Sequence, residues 1–190
     1  MSTLVLVTEY ADGGDLGDTI LARKERNVPF TSQEITCVLA QICLALDHVH
    51  AKGILHRNII PENIFFTRGG LVKIGDFGFS NLCEESISKQ VVDTLCDTPF
   101  YFPSEMWRGY DYSKKADIWS VGIVLFEMMM LARPFTGDTM KQLSDAVRKG
   151  AISAIPTGVF DDELVQACRL LLSVKPSSRP ELNLLKFRSV

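Results

Sequence analysis

The sequence predicts a mainly helical domain that carries one small β-hairpin, and three observations lead there. Between Thr31 and Gly53, the residues Ile35, Val38, Leu39, Ile42, Leu46 and Val49 recur at helical spacing along one face. Between Lys114 and Leu131 the chain is apolar almost all round, the pattern of a helix buried on every side. In the middle, the runs Ile64-Phe65-Phe66 and Leu71-Val72-Lys73-Ile74 flank Thr67-Arg68-Gly69-Gly70, as two strands flank a tight turn. With 190 residues, 46% of them hydrophobic, the chain can bury one sizeable core, and 23% charged residues argue against disorder.

Taken in order, Leu4-Val5-Leu6-Val7 reads as a strand leading into Glu9-Tyr10-Ala11-Asp12-Gly13-Gly14-Asp15-Leu16, whose glycines break the chain before a short helix. Thr31 and Glu34 form a capping box, and Lys52-Gly53 closes the helix they start. His48 and His50, near its end, read as structural, because no third metal-type residue stands at a helical spacing. Folding the hairpin about Gly69-Gly70 sets Asn63 opposite Asp76 on one face, with Cβ atoms ~5 Å apart. An amide oxygen and a carboxylate side by side suit Mg²⁺, which takes one or two protein oxygens and completes its shell with water and phosphate. Asp76 to Glu105 is a long irregular stretch containing Ser80, Ser86, Ser88, Thr94 and Thr98, and loops of that length are functional or disordered. Ser113 can cap the helix that follows. Asp117 in the first turn of that helix must be hydrogen-bonded or neutralised if it is buried. Helices near Asp138–Lys149, near Asp161–Leu172 and after Pro180 complete the chain.

The formal net charge is −3, which gives no nucleic-acid or acidic-lipid signal. Five cysteines (Cys37, Cys43, Cys83, Cys96, Cys168) form no CxxC pair and no zinc spacing, as in a reduced protein with free thiols. Met1 precedes Ser2-Thr3 and a short apolar run without a basic flank or cleavage site, so no signal peptide is expected. The apolar window Ile118–Leu131 is too short, and too charged at its start, to cross a bilayer. The expected location is cytoplasmic, with nuclear or cytoskeletal association left open.

Ile54-Leu55-His56-Arg57-Asn58-Ile59-Ile60-Pro61-Glu62-Asn63 and Asp76-Phe77-Gly78 resemble the catalytic and metal-binding loops of protein kinases. The resemblance extends in order over essentially the whole chain and implies the large, C-terminal lobe of that fold. Residues 1–15 then correspond to the last small-lobe strand and the hinge, and residues 76–105 to the activation segment. Pro61-Glu62-Asn63 and Thr98-Pro99 are similar to the Ser/Thr branch. Gly-Gly-Asp-Leu at 13–16, Gln41 to His50 and Ile74-Gly75-Asp76-Phe77-Gly78 look like the NIMA-related kinases. The resemblance implies ATP and Mg²⁺ as cofactors and a protein as substrate or partner. It puts the adenine and ribose near Glu9, Ala11, Asp15 and Phe65, and the metal on Asn63 and Asp76. Thr94 is implied as an activating phosphate site with Arg57 as its ion partner. His56 and Thr98 are implied as structural or regulatory members of the same loops, Asp117 as the anchor of the His56-Arg57 turn, and Arg179 as the partner of Glu105.

Besides Asp97 in place of a Gly and Ser104 in place of a Pro before Glu105, three departures from the family pattern bear on the chemistry. Asn58 stands where the family has the aspartate that accepts the substrate proton, and an amide cannot serve as a base; that base contributes about 10²–10⁴ in rate. Ile60 replaces a lysine that touches the transferring phosphate. No glycine-rich loop, Val-Ala-Ile-Lys strand or helix with its glutamate precedes Leu4, so ATP is expected to be held poorly. The chain therefore reads as a catalytically impaired pseudokinase that binds a protein partner, such as an active kinase or the missing small lobe. The alternative is a truncated Ser/Thr kinase that transfers the ATP γ-phosphate to protein.

Overall fold

The computed structural model describes residues 5, 7–77, 99–110 and 112–182. Five α-helices lie among them: α1 (Leu16–Arg26), α2 (Ser32–Ala51), α3 (Lys114–Met130), α4 (Met140–Lys149) and α5 (Asp162–Leu171). One antiparallel pair, β1 (Ile64–Phe66) and β2 (Val72–Ile74), stands between α2 and α3.

The helix starts follow from local chemistry. Asp15 caps α1 by accepting the Asp18 N–H. Thr31 and Glu34 close a reciprocal capping box on α2, and Thr139 with Gln142 does the same on α4. Ser113 caps α3, whose residues Ala116 to Met129 are all buried. Helix α2 lays Ile35, Leu39, Ile42 and Leu46 against this central rod, and α5 packs on it from another side. The approach of α5 is close: a Cβ at Gly122 would lie 2.9 Å from Leu171 Cβ. By length and composition α2 is apolar enough to cross a bilayer. Here its apolar side is packed in the core, while Asp47 and His48 on its other side are exposed.

Two expectations need correction. The hairpin pairs Ile64 with Ile74 and Phe66 with Val72, so Gly75, not Asp76, falls opposite Asn63, and the Gly75 N–H donates to the Asn63 carbonyl at 2.9 Å. The cause is the turn. The Gly70 N–H donates to the Thr67 carbonyl, and Gly70 takes a positive φ of 81° while Gly69 does not. The connection is therefore a three-residue loop ending in a left-handed glycine, which shifts the register by one relative to a two-residue turn. The second concerns Val5 and Val7, the described residues of the strand expected at Leu4–Val7. Val5 and Val7 have no strand partner among the described residues and are 74% and 88% exposed. A lone strand has no ladder to hold it. The expected helix after Pro180 falls largely outside the described residues, as do Thr94, Thr98, Ser80, Ser86 and Ser88.

Candidate active site

The site begins with Asp117, fully buried near the start of α3. Its carboxylate accepts the backbone N–H groups of His56 (2.9 Å) and Arg57 (2.8 Å) and the Tyr112 hydroxyl (2.7 Å), and His50 Nε2 sits 2.7 Å away. Burial alone would favour the neutral acid. The donors from His50, Tyr112, Arg57 and His56 reverse this and hold the carboxyl below its ordinary range. The two backbone bonds fix the 56–57 turn, with Arg57 at a positive φ of 67°. The Arg57 guanidinium lies 5.7 Å from the centre of the Tyr112 ring. Its proposed partner, Thr94, lies outside the described residues.

His56 ties this turn to the segment after β2. Its Nδ1 accepts the Asn58 N–H at 3.3 Å, which leaves Nε2 as the donor to the Gly75 carbonyl at 3.0 Å, and its ring meets Phe77 edge-on at 4.6 Å. Burial, the largest influence, lowers its pKa from the ordinary 6.5, against the pull of Asp117. The folded chain thus favours neutral His56, and its contribution is fully present above about pH 6.5 and is lost as pH falls toward the lowered folded value. The melting temperature is expected to fall as pH drops below about 6.5, and His56→Asn should flatten that slope. An unchanged slope in the variant would contradict the assignment.

Asn58, Asn63 and Asp76 come together in front of this scaffold. Asn63 ends the 3₁₀ turn Pro61–Asn63, and its Nδ2 donates to the Asn58 carbonyl at 3.0 Å and lies 3.5 Å from Asp76 Oδ2. Asn58 Nδ2 donates to that same oxygen at 2.8 Å. Asp76 is not part of the ladder. Its positive φ of 57° takes it out of the strand conformation, and the two residues meet despite the shifted register. A divalent cation that prefers oxygen suits this pair: a carboxylate, and an amide whose nitrogen is already fixed by the Asn58 carbonyl, leaving its oxygen available. Ile59 and Ile60 face the core on the other side of the loop.

The residues expected at the hinge are partly committed elsewhere. Glu9 pairs with Lys73 at 2.9 Å, and the Asp15 carboxylate caps α1. Ala11 is half-buried. Backbone bonds between Gly13 and Phe66 and between Phe66 and Gly14 (2.8 Å each) seat the Gly13-Gly14 stretch against β1. The Phe65 ring covers Gly75, where a Cβ would lie 2.7 Å from a ring carbon. Glu105 and Arg179, expected to pair, do so in two bonds of 2.6 and 2.8 Å.

Sequence reasoning read His50 as structural without finding its partner, and it missed Tyr112 and Tyr101. His50 continues the buried stripe 35, 39, 42, 46, and a polar side chain on that stripe was the signal that it needs a partner. Tyr112, just ahead of Asp117, carried no comparable sign. Tyr101 was the other: its hydroxyl donates to Glu127 at 2.7 Å, and Arg133 Nε lies 3.2 Å from the other oxygen. Burial raises the Glu127 pKa. Tyr101, Glu127, Arg133 and Glu62 line a groove of about 430 Å³ beside the catalytic-loop stretch.

The family model described as the protein kinase domain matches residues 1–186. Over 180 residues the chain is 38% identical to a putative serine/threonine-protein kinase A of Trypanosoma brucei brucei, covering 94% of the chain and 42% of that protein. It is 35% identical over 185 residues to mouse serine/threonine-protein kinase Nek3 (97% of the chain, 35% of the relative). It is 38% identical over 181 residues to human Nek5 (95% and 25%). The chain thus spans less than half the length of these relatives.

Proposed function

The chain belongs to the protein kinase family and is similar to its NIMA-related Ser/Thr members, and from that premise we propose that it is a catalytically impaired kinase domain that acts by binding a protein. One observation carries this reading. At the position of the family's proton acceptor stands Asn58, whose amide donates a hydrogen bond to Asp76. A donor cannot take the substrate proton. Ile60 adds to this, since it is packed in the core and offers no charge to a transferring phosphate.

In this proposal Asn63 and Asp76 would hold Mg²⁺, which supplies charge neutralisation for bound phosphate. Glu9, Ala11, Asp15 and Phe65 would line the nucleotide site. His56 and Asp117 keep the loop in position, and Arg57 would meet a phosphate on Thr94. The groove walled by Glu62 and Glu127 is the proposed seat of a partner segment. A reducing, cytoplasmic setting suits the thiols: Cys43 and Cys168 are free and buried, and burial pushes both up to about 12.

Incubated with Mg²⁺ and γ-labelled ATP, the chain is expected to transfer no label to a generic basic protein. Clear turnover that disappears in Asp76→Ala would refute the impaired reading. A second reading, a portion of an active Ser/Thr kinase, is favoured by the greater length of the relatives. An in-frame Gly-x-Gly-x-x-Gly and Val-Ala-Ile-Lys encoded ahead of Met1 would move the weight to it.

A further inference from the structure

Asp76 Oδ2 already carries a donor. Asn58 Nδ2 lies 2.8 Å from it and Asn63 Nδ2 3.5 Å, while Asn63 Nδ2 also bonds the Asn58 carbonyl at 3.0 Å. The three residues close a small ring. An aspartate in place of Asn58 would set two carboxylates side by side at this separation, and such a pair calls for a cation or a proton between them. The amide removes that requirement.

We propose that Asn58 is a neutral latch, its amide standing in for a divalent cation at Asp76 and joining the catalytic-loop stretch to the 75–77 segment without metal. Both sides of the latch are built. Asp117 fixes the loop side through the His56 and Arg57 N–H groups. On the other side, His56 holds the Gly75 carbonyl and packs on Phe77. Asp76 sits between them at a φ of 57°, a conformation that non-glycine residues adopt rarely. A cation reaching Asp76 Oδ2 must displace a hydrogen bond to a charged acceptor, of the stronger kind. The inference rests on the proposed identification of Asn63 and Asp76 as the metal-facing pair and adds that the chain's own residue competes for it.

The test uses the full chain and Mn²⁺ alone, with free ion followed by electron paramagnetic resonance and the melting temperature measured alongside. The unaltered chain is expected to bind Mn²⁺ weakly and to melt at the same temperature with or without it. Asn58→Ala should bind Mn²⁺ about tenfold more tightly, the equivalent of one hydrogen bond to a charged group. Asn58→Asp should bind more tightly still and gain stability from the ion. Adding Asp76→Asn to Asn58→Ala should erase the gain. Equal affinity in the unaltered chain and Asn58→Ala overturns the latch, as does a gain that survives Asp76→Asn. If Asn58→Ala does not fold, Asn58→Asp is judged by the same criterion. The Asn58 side-chain amide signals of the unaltered chain give a reading without any variant: unmoved by millimolar Mg²⁺ if the latch holds, shifted if it opens. No nucleotide is present, so failure here leaves the phosphotransfer reading untouched, and turnover in the labelled-ATP assay would overturn that reading alone.

Discussion

Glu105→Ala is expected to destabilise the chain by about 3–5 kcal/mol, because it strands a buried guanidinium. Arg179 is 2% exposed and serves as the hub of the C-terminal region. It makes two bonds to Glu105 and donates to the carbonyls of Ser173 (2.9 Å), Lys115 (2.7 Å) and Val174 (3.3 Å). Its guanidinium carbon lies 4.8 Å from the centre of the Trp119 ring. Removing the carboxylate leaves this charge buried without a counter-charge, and removing Arg179 leaves Glu105 in the same state. The double replacement Glu105→Leu, Arg179→Met should recover part of the loss, since neither charge then remains in the core. Urea unfolding of the three variants measures this. A single-variant loss below about 1 kcal/mol, the range of an exposed pair, would contradict the role assigned here.

Asp117→Ala should cost about 2–6 kcal/mol, from two backbone N–H groups left without an acceptor at about 1–3 kcal/mol each. The His50 and Tyr112 bonds are lost as well. Asp117→Asn keeps one acceptor oxygen and should fall between the two. The consequence extends beyond stability, because the turn that Asp117 holds is the turn that presents Asn58 to Asp76. In Asp117→Asn the backbone resonances of residues 56–58 and the Asn58 amide should shift together, while those of α4 stay unchanged. Shifts confined to α3, with the loop unmoved, would show that the turn does not depend on this anchor.

The parts that were legible in the sequence are those set by near neighbours. Thr31 with Glu34 marks the start of α2, and the stripe from Ile35 to Leu46 marks its buried face. Ser113 and the mostly apolar stretch after it define α3. Arg179 and Glu105 were legible only through the family pattern, since 74 positions separate them along the chain. The hairpin itself was legible, but its register was not, because two adjacent glycines leave open which one takes the left-handed conformation.

What the sequence alone determined, then, is the order of the described helices, the starts of α2 and α3, the existence of the hairpin, and an amide in the place of a carboxylate at residue 58. Each is written in side chains a few positions apart, where capping and periodicity act. Only the tertiary structure decided that His50 and Tyr112 converge on Asp117, and that Asn58 points its amide at Asp76. The Asn58 contact joins residues 18 positions apart and the His50 contact residues 67 positions apart. Their geometry depends on a turn at Gly70, on the strained backbone of Asp76 and on the packing of α2 against α3, and no local pattern specifies all three at once.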